Sequence, residues 1–363
     1  MEKDFEYRTI QSTGKGSYII TLPKDWVKDL NLGKGSHLAM RIQDDSALLL
    51  IPRETLEAKN EKSPQKKYRI FVEPKDNAES VCHKIISLYV ISADSIYIRY
   101  KEGKIPYGHK VAINNLAKNV LLGSEIIDET SNELIIQVLV NHPEFPVEKA
   151  IRRMAIQALS ADKDAAMALE HMDENLIKGV IESCNDVNRL SLYAIRQLKY
   201  GLERNLSKEL GFRNRKEFLG YRLVVDDIKN IADNALNLAN NIMALNKMIK
   251  DQSLLLNEPV DKEIYSQILK FNAKAHDFFD ENLGALFKRD YDHADKLISE
   301  VGILVGSESE LVTLVSTKKM DPNISSILRL IIDSSRRIIE YSRSISEVTL
   351  NRTIEEISEL IQQ

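Results

Sequence analysis

The apolar positions of this chain change their period along its length. From residue 8 to 52 they alternate: Arg8 to Gly14 and Ser17 to Pro23 read as two short strands around a glycine turn, and HLAMRIQ and ALLLI repeat the pattern around Asp-Asp-Ser. Between the hairpins, KDWVKDLNLGKG sets Trp26, Val27, Leu30 and Leu32 on one face of a short helix, which Gly33 is expected to end. Four strands and one short helix in about fifty residues bury too little apolar area to offset their chain entropy. A partner chain is implied.

Residues 53–67, RETLEAKNEKSPQKK, have no periodic apolar face and carry a Ser-Pro break, so they read as a linker. Beyond it YRIFVE, DSIYIRY, SEIIDE and ELIIQVLV read as strands, interleaved with two helical stretches, ESVCHKIISLYVI and YGHKVAINNLAKNVLL. That order predicts a compact α+β sandwich, residues 68–145, with helices on one face of a mixed sheet. From Pro146 onward only long helices are expected, and they repeat. Ala168-Leu169, Asp173 and Ile181 recur at one offset as Ala285-Leu286, Asp290 and Ile298, and RLVVDDIKNIAD at 222–233 recurs as RLIIDSSRRIIE at 329–340. Two up-down-up units follow, 146–260 and 261–363. Their helices are expected near 146–172, 173–205 and 217–250, then 261–288, 290–315 and 323–349.

Composition narrows the function classes. The 363 residues are 29% charged with a net charge of -4, which excludes a globally basic nucleic-acid binder and leaves a local patch open. Residues 1–67 carry 12 Lys and Arg against 10 Asp and Glu. No apolar run reaches the roughly 18 to 20 residues of a membrane span, and MEKDFEYRTI lacks the apolar core of a signal peptide, so a cytoplasmic protein without membrane insertion is expected. Cys82 and Cys184 lie about a hundred residues apart without a CxxC partner, which argues against a disulfide framework or zinc knuckle. His83, His109 and His142 are scattered, no glycine-rich phosphate loop follows a strand, and no nucleophile-base pair assembles. An enzyme is not expected.

Two family resemblances bear on these elements. RTIQSTGKGSYIITLPKDWVKDLNLGKGSHLAMRIQDDSALLLIP resembles the swapped-hairpin DNA-binding domain of the AbrB, SpoVT and MazE type. PVEKAIRRMAIQALSADKDAAMALE, VNRLSLYAIRQLK and IKNIADNALNLANNI resemble PhoU, the phosphate uptake regulator, and the whole architecture is similar to archaeal PhoU-like regulators. The resemblances imply a multidomain fold. It comprises a small all-β swapped-hairpin barrel shared by two chains at 1–52, a central α+β sandwich, and duplicated three-helix bundles. They also imply DNA binding through basic residues on the dimer's face, and the matching positions are Arg8, Lys15 and Lys24, with Lys28 and Arg41 as additions. Arg8 is the candidate for reading a guanine edge, because only guanidinium is bidentate. Asp25 and Asp29 dilute the patch.

PhoU bundles tend to carry acidic pairs four residues apart that share a cation. The aligned places here read Lys229 and Asp233, then Arg336 and Glu340, so a cation replaces one ligand in each and no metal or other cofactor is expected. Glu182 and Asp186 have the right spacing, with salt bridging as the plainer explanation. The repeated Asp226 and Asp333 are expected to cap a helix or bond between helices. The leading function is therefore a transcriptional regulator of phosphate uptake whose bundles sense or adapt a phosphate-related signal. In the rival reading the chain is an adaptor for a phosphate transporter or sensor kinase, and the barrel only dimerises it. An antitoxin would follow the barrel with a short disordered tail, which this chain lacks.

Overall fold

The computed structural model describes residues 6–14, 16–42, 47–53, 65–140, 145–170, 172–251 and 260–359. The chain divides into two compact units, Met1–Gln65 and Lys66–Gln363.

The first unit holds two separate hairpins. Strands β1 (Gln11–Thr13) and β2 (Ser17–Ile19) pair antiparallel with Gln11 opposite Ile19, and β3 (Leu38–Ile42) pairs β4 (Leu48–Pro52) with Leu38 opposite Pro52. The first hairpin is shorter than the alternation suggests, and no closed barrel forms among the described residues of the single chain. Between them lies α1 (Lys24–Asp29). It is closed by Asn31 rather than the expected Gly33: Asn31 takes φ 49°, and Leu32 N donates to Val27 O at 2.9 Å.

The second unit begins with a four-stranded sheet in the order β5-β6-β8-β7. Strands β5 (Lys67–Val72) and β6 (Ser95–Tyr100) run parallel, joined by α2 (Ala78–Val90), while β7 (Ser124–Glu129) and β8 (Glu133–Val138) add antiparallel. The sheet is mixed, as expected. Its first strand takes in Lys67, and Lys66 O accepts from Asp94 N and Ser95 N, so two lysines read as linker belong to the sheet. Helix α3 (Tyr107–Asn115) ends sooner than its pattern predicts, in a π-turn at Leu116–Val120. The chain then turns at Gly123 (φ 71°), where a Cβ would lie 1.7 Å from Val140 Cγ2, so this turn needs glycine. Ile85 and Tyr89 of α2, Ile113 of α3, and Ile96, Ile98, Leu134 and Ile136 of the sheet form one buried core.

Six long helices follow: α4 (Val147–Met167), α5 (Glu174–Arg204), α6 (Glu217–Lys250), α7 (Lys262–Lys288), α8 (Tyr291–Thr317) and α9 (Pro322–Ile357). Helices α4, α5 and α6 pack together, as do α7, α8 and α9, while α6 lies against α9 and α4 against α7. The repeated aspartates have a local cause. Asp173 and Asp290 are the N-caps of α5 and α8, each accepting backbone N–H bonds of the first turn. One hydrophobic core runs through all six helices, so the two three-helix units are halves of one packed body.

Sheet and bundle are joined at a buried arginine. Arg196 of α5 donates to Tyr89 O and Ala93 O, both at 2.8 Å, and lies over the Tyr89 ring at 5.0 Å. Ser92, itself at φ 68°, returns a bond from its hydroxyl to Arg196 O. The guanidinium thus adds a second donor to Tyr89 O, which already accepts from Ser92 N, and satisfies Ala93 O just beyond the end of α2.

Candidate functional site

The first unit turns apolar side chains outward. Tyr18 is 78% exposed, Met40 71% and Ile42 78%; α1 buries no residue, and among the unit's described residues only Pro52 is buried. Exposed apolar side chains on so small a unit are the kind that an interaction covers.

The same unit carries the basic candidates. Lys24 opens α1 and Lys28 lies in its last turn, both exposed and four residues apart, so they share one side of the helix; Asp25 and Asp29 follow at the same spacing. Arg8 precedes β1 and its guanidinium is paired with Glu6, an acid the sequence reading passed over. Lys15 lies outside the described residues, as does His142. Arg41 is placed by its backbone alone, on β3 opposite Leu49. Exposed Lys34 also went unnoticed, although Gly33-Lys34-Gly35 repeats the tripeptide Gly14-Lys15-Gly16. Its loop is held by Gly33 N donating to Ser36 Oγ at 3.0 Å, and Gly35 takes φ 95°.

In the helical body, charge gathers where the two halves meet. Fully buried Asp162 of α4 accepts from Asn272 Nδ2 at 2.7 Å, faces His276 Nε2 at 2.9 Å and accepts from the Ser334 hydroxyl, which ties α4 to α7 and α9. These bonds satisfy the buried carboxylate from two helices of the other half. A second cluster surrounds buried Glu217, the first residue of α6. Arg289 donates to its two oxygens at 3.1 and 3.2 Å, Arg352 pairs with it, and Arg213 N donates at 2.9 Å. Burial pushes the Glu217 carboxyl up, but these donors outweigh it and hold the group below its ordinary value.

The acid pairs considered for metal binding are local ion pairs. Lys229 meets Asp233 at 2.5 Å, and Arg336 meets Glu340 at 3.0 Å and Glu308 of α8 at 3.0 Å. Asp226 and Asp333 neither cap nor cross helices: each pairs with an arginine four residues away on its own helix, Arg222 and Arg337. The repeat preserves a helix-surface charge pattern here. Asp186 accepts an amide N–H from Gln157. Among the described residues, no three His, Cys, Asp or Glu side chains are arranged to hold a metal. His109 Nδ1 lies 3.1 Å from the Tyr100 hydroxyl, and burial pushes the Cys184 thiol up to about 12. Among the described residues no helix is long and apolar enough to cross a membrane.

Two family models match separate parts of the chain. Residues 11–57 match the family model of the antidote-toxin recognition MazE, bacterial antitoxin, and residues 151–242, within α4 to α6, match the PhoU domain. Among solved structures the chain is similar to the phosphate transport system regulatory protein PhoU from Streptococcus pneumoniae, at 14% identity and a TM-score of 0.45, over 59% of this chain and 96% of that one. It is also similar to PhoU from Pseudomonas aeruginosa, at 17% identity and a TM-score of 0.39, over 58% of this chain and 96% of that one. No curated protein matches. The chain therefore carries an N-terminal MazE-type region and a PhoU domain.

Proposed function

We propose that the chain is a cytoplasmic, homodimeric DNA-binding regulator of phosphate uptake. In this reading two copies interleave their hairpins, and the PhoU-like body relays a phosphate-related signal. The observation that carries it is the set of outward apolar side chains of the first unit, which also exposes Lys24 and Lys28: a second copy would cover the apolar side chains and double the basic groups. The two matched families, both regulatory in kind, support the same conclusion.

A gel-shift titration over a range of salt, on the chain's own promoter and on random DNA, tests it. Lys24→Ala and Lys15→Ala should weaken binding about equally on both DNAs and flatten the salt dependence by roughly one to two units per dimer. Arg8→Ala should lose about 1 to 3 kcal/mol per contact on the specific site and much less on random sequence. If all three variants stay dimeric and bind as the parent does, the assignment of DNA contact to these side chains fails.

The adaptor reading draws on the same side chains. Glu6 neutralises Arg8, and Asp25 and Asp29 lie beside Lys24 and Lys28, a mixed surface that suits a protein partner as well as phosphate. Absence of any DNA shift, with dimerisation intact, would favour it.

A further inference from the structure

Between the two halves of the helical body lies a cavity of about 510 Å³, lined by Arg213, Asn214, Arg289, Arg352, Glu355 and Glu356. The three arginines come from three segments: the loop before α6, the residue that ends α7, and the last turns of α9. Arg352 and two nitrogens of Arg289 are committed to buried Glu217. Arg352 Nη1 is bonded to the Tyr221 hydroxyl and to Leu286 O, while Glu356 Oε1 gathers Arg289 Nε and the shared Nη2, both at 2.9 Å, and Arg213 Nη1 at 2.5 Å. Arg213 is 58% exposed and Glu356 27%, so this meeting point is open to water, unlike the Glu217 pair behind it. Lys216 is held aside by Glu355 at 2.7 Å.

We propose that this cavity binds a small multivalent oxyanion carrying a phosphoryl group, and that Glu356 occupies the place of one of its oxygens. Guanidinium presents two parallel N–H donors that match phosphoryl oxygens. A single carboxylate oxygen shared by two guanidiniums uses only part of that capacity. A phosphoryl dianion brings more oxygens and more charge to the same donors, and exchanging it for Glu356 leaves the Glu217 cluster in place. It would also remove one tie between the end of α9 and the α6 side, with Glu355–Lys216 and Arg352–Glu217 remaining. The inference stands on this geometry and not on DNA binding, which a negative result here leaves untouched.

Calorimetric titration of the full-length protein, without DNA, with inorganic phosphate, pyrophosphate and ADP tests it. Pyrophosphate should bind saturably. Glu356→Gln should tighten it about tenfold and Arg213→Gln weaken it about tenfold, a change of 1.4 kcal/mol each way. Melting curves confirm that the variants fold; if Arg213→Gln does not, Arg213→Lys, which keeps the charge and loses the fork, should show the weakening. ADP binding more tightly than pyrophosphate would assign the phosphoryl group to a nucleotide, and equal or weaker ADP binding to an inorganic anion. The site is overturned if none of the three saturates by about 10 mM in the parent and in Glu356→Gln. Unchanged affinity in a folded Arg213 variant overturns it equally.

Discussion

Asp227 on α6 carries a protonation that the rest of the fold must accommodate. Burial raises its carboxyl to about 6, the Ser344 hydroxyl of α9 works against that rise, and the Asp226 charge beside it adds to it; Oδ2 has no hydrogen-bond partner. The ordinary value is 3.8, so the folded protein holds this proton more tightly than the unfolded chain does. Its contribution to stability is therefore fully present below about pH 4 and is lost as the pH rises through 6. Discounted for the water that still reaches the group, the loss is on the order of 1 to 2 kcal/mol. Asp227→Asn keeps the shape and removes the titration. Thermal melts should show the variant matching the parent near pH 4 and exceeding it by about 2 to 4 °C at pH 8. A difference that stays constant from pH 4 to 8 would deny that this carboxyl titrates on unfolding.

Among the elements, Arg196 of α5 does for the sheet what no local signal predicts. It lies on the buried face of its helix and satisfies Tyr89 O and Ala93 O at the end of α2. Arg196→Met keeps much of the apolar stem but leaves Ala93 O without its donor and Tyr89 O with the Ser92 N–H alone, at a cost of about 1 to 3 kcal/mol. Hydrogen exchange should accelerate in the last turn of α2 and the start of β6 more than in α9; equal acceleration throughout would show that the joint is not local. The long helices were legible because their apolar stripes run for many turns, and Asp173 and Asp290 declare two of the starts. The π-turn after α3 was not, since Leu116 and Ala117 continue the helical pattern and only tertiary packing changes the turn. Lys66 and Lys67 looked like linker because a strand's first residues carry little periodicity. Of the candidate site, Lys24 and Lys28 follow from the sequence pattern. The side-chain partners of Asp162 and Glu217 do not, because they lie at least 72 residues away in sequence. Only an acid within the alanine-rich stripe around Asp162 hinted that something polar must meet it there.

At the scale of the whole molecule, the helical body closes a single core through six helices while the first unit buries almost nothing. A unit whose Tyr18, Met40, Ile42 and Leu48 face water gives up the largest favourable contribution available to a small fold. Under the proposed function, pairing two copies of the hairpins would recover it by a closed two-fold arrangement, in which the same patch serves both chains. Sedimentation at micromolar concentration should therefore report twice the 41.4 kDa of the chain. Tyr18→Ser combined with Leu48→Ser removes apolar area from both hairpins and should raise the dimer dissociation constant by at least about tenfold, since two such side chains are each worth on the order of 1.5 to 3 kcal/mol when fully covered. The melting of the helical body should change by less than a few degrees, because neither residue belongs to its core. The competing account is that the hairpins are covered within one chain. A clean 41.4 kDa species for the parent protein would establish that account and end the two-copy reading, and a parent dimer that the double substitution leaves equally tight would move the dimer interface to the helical body.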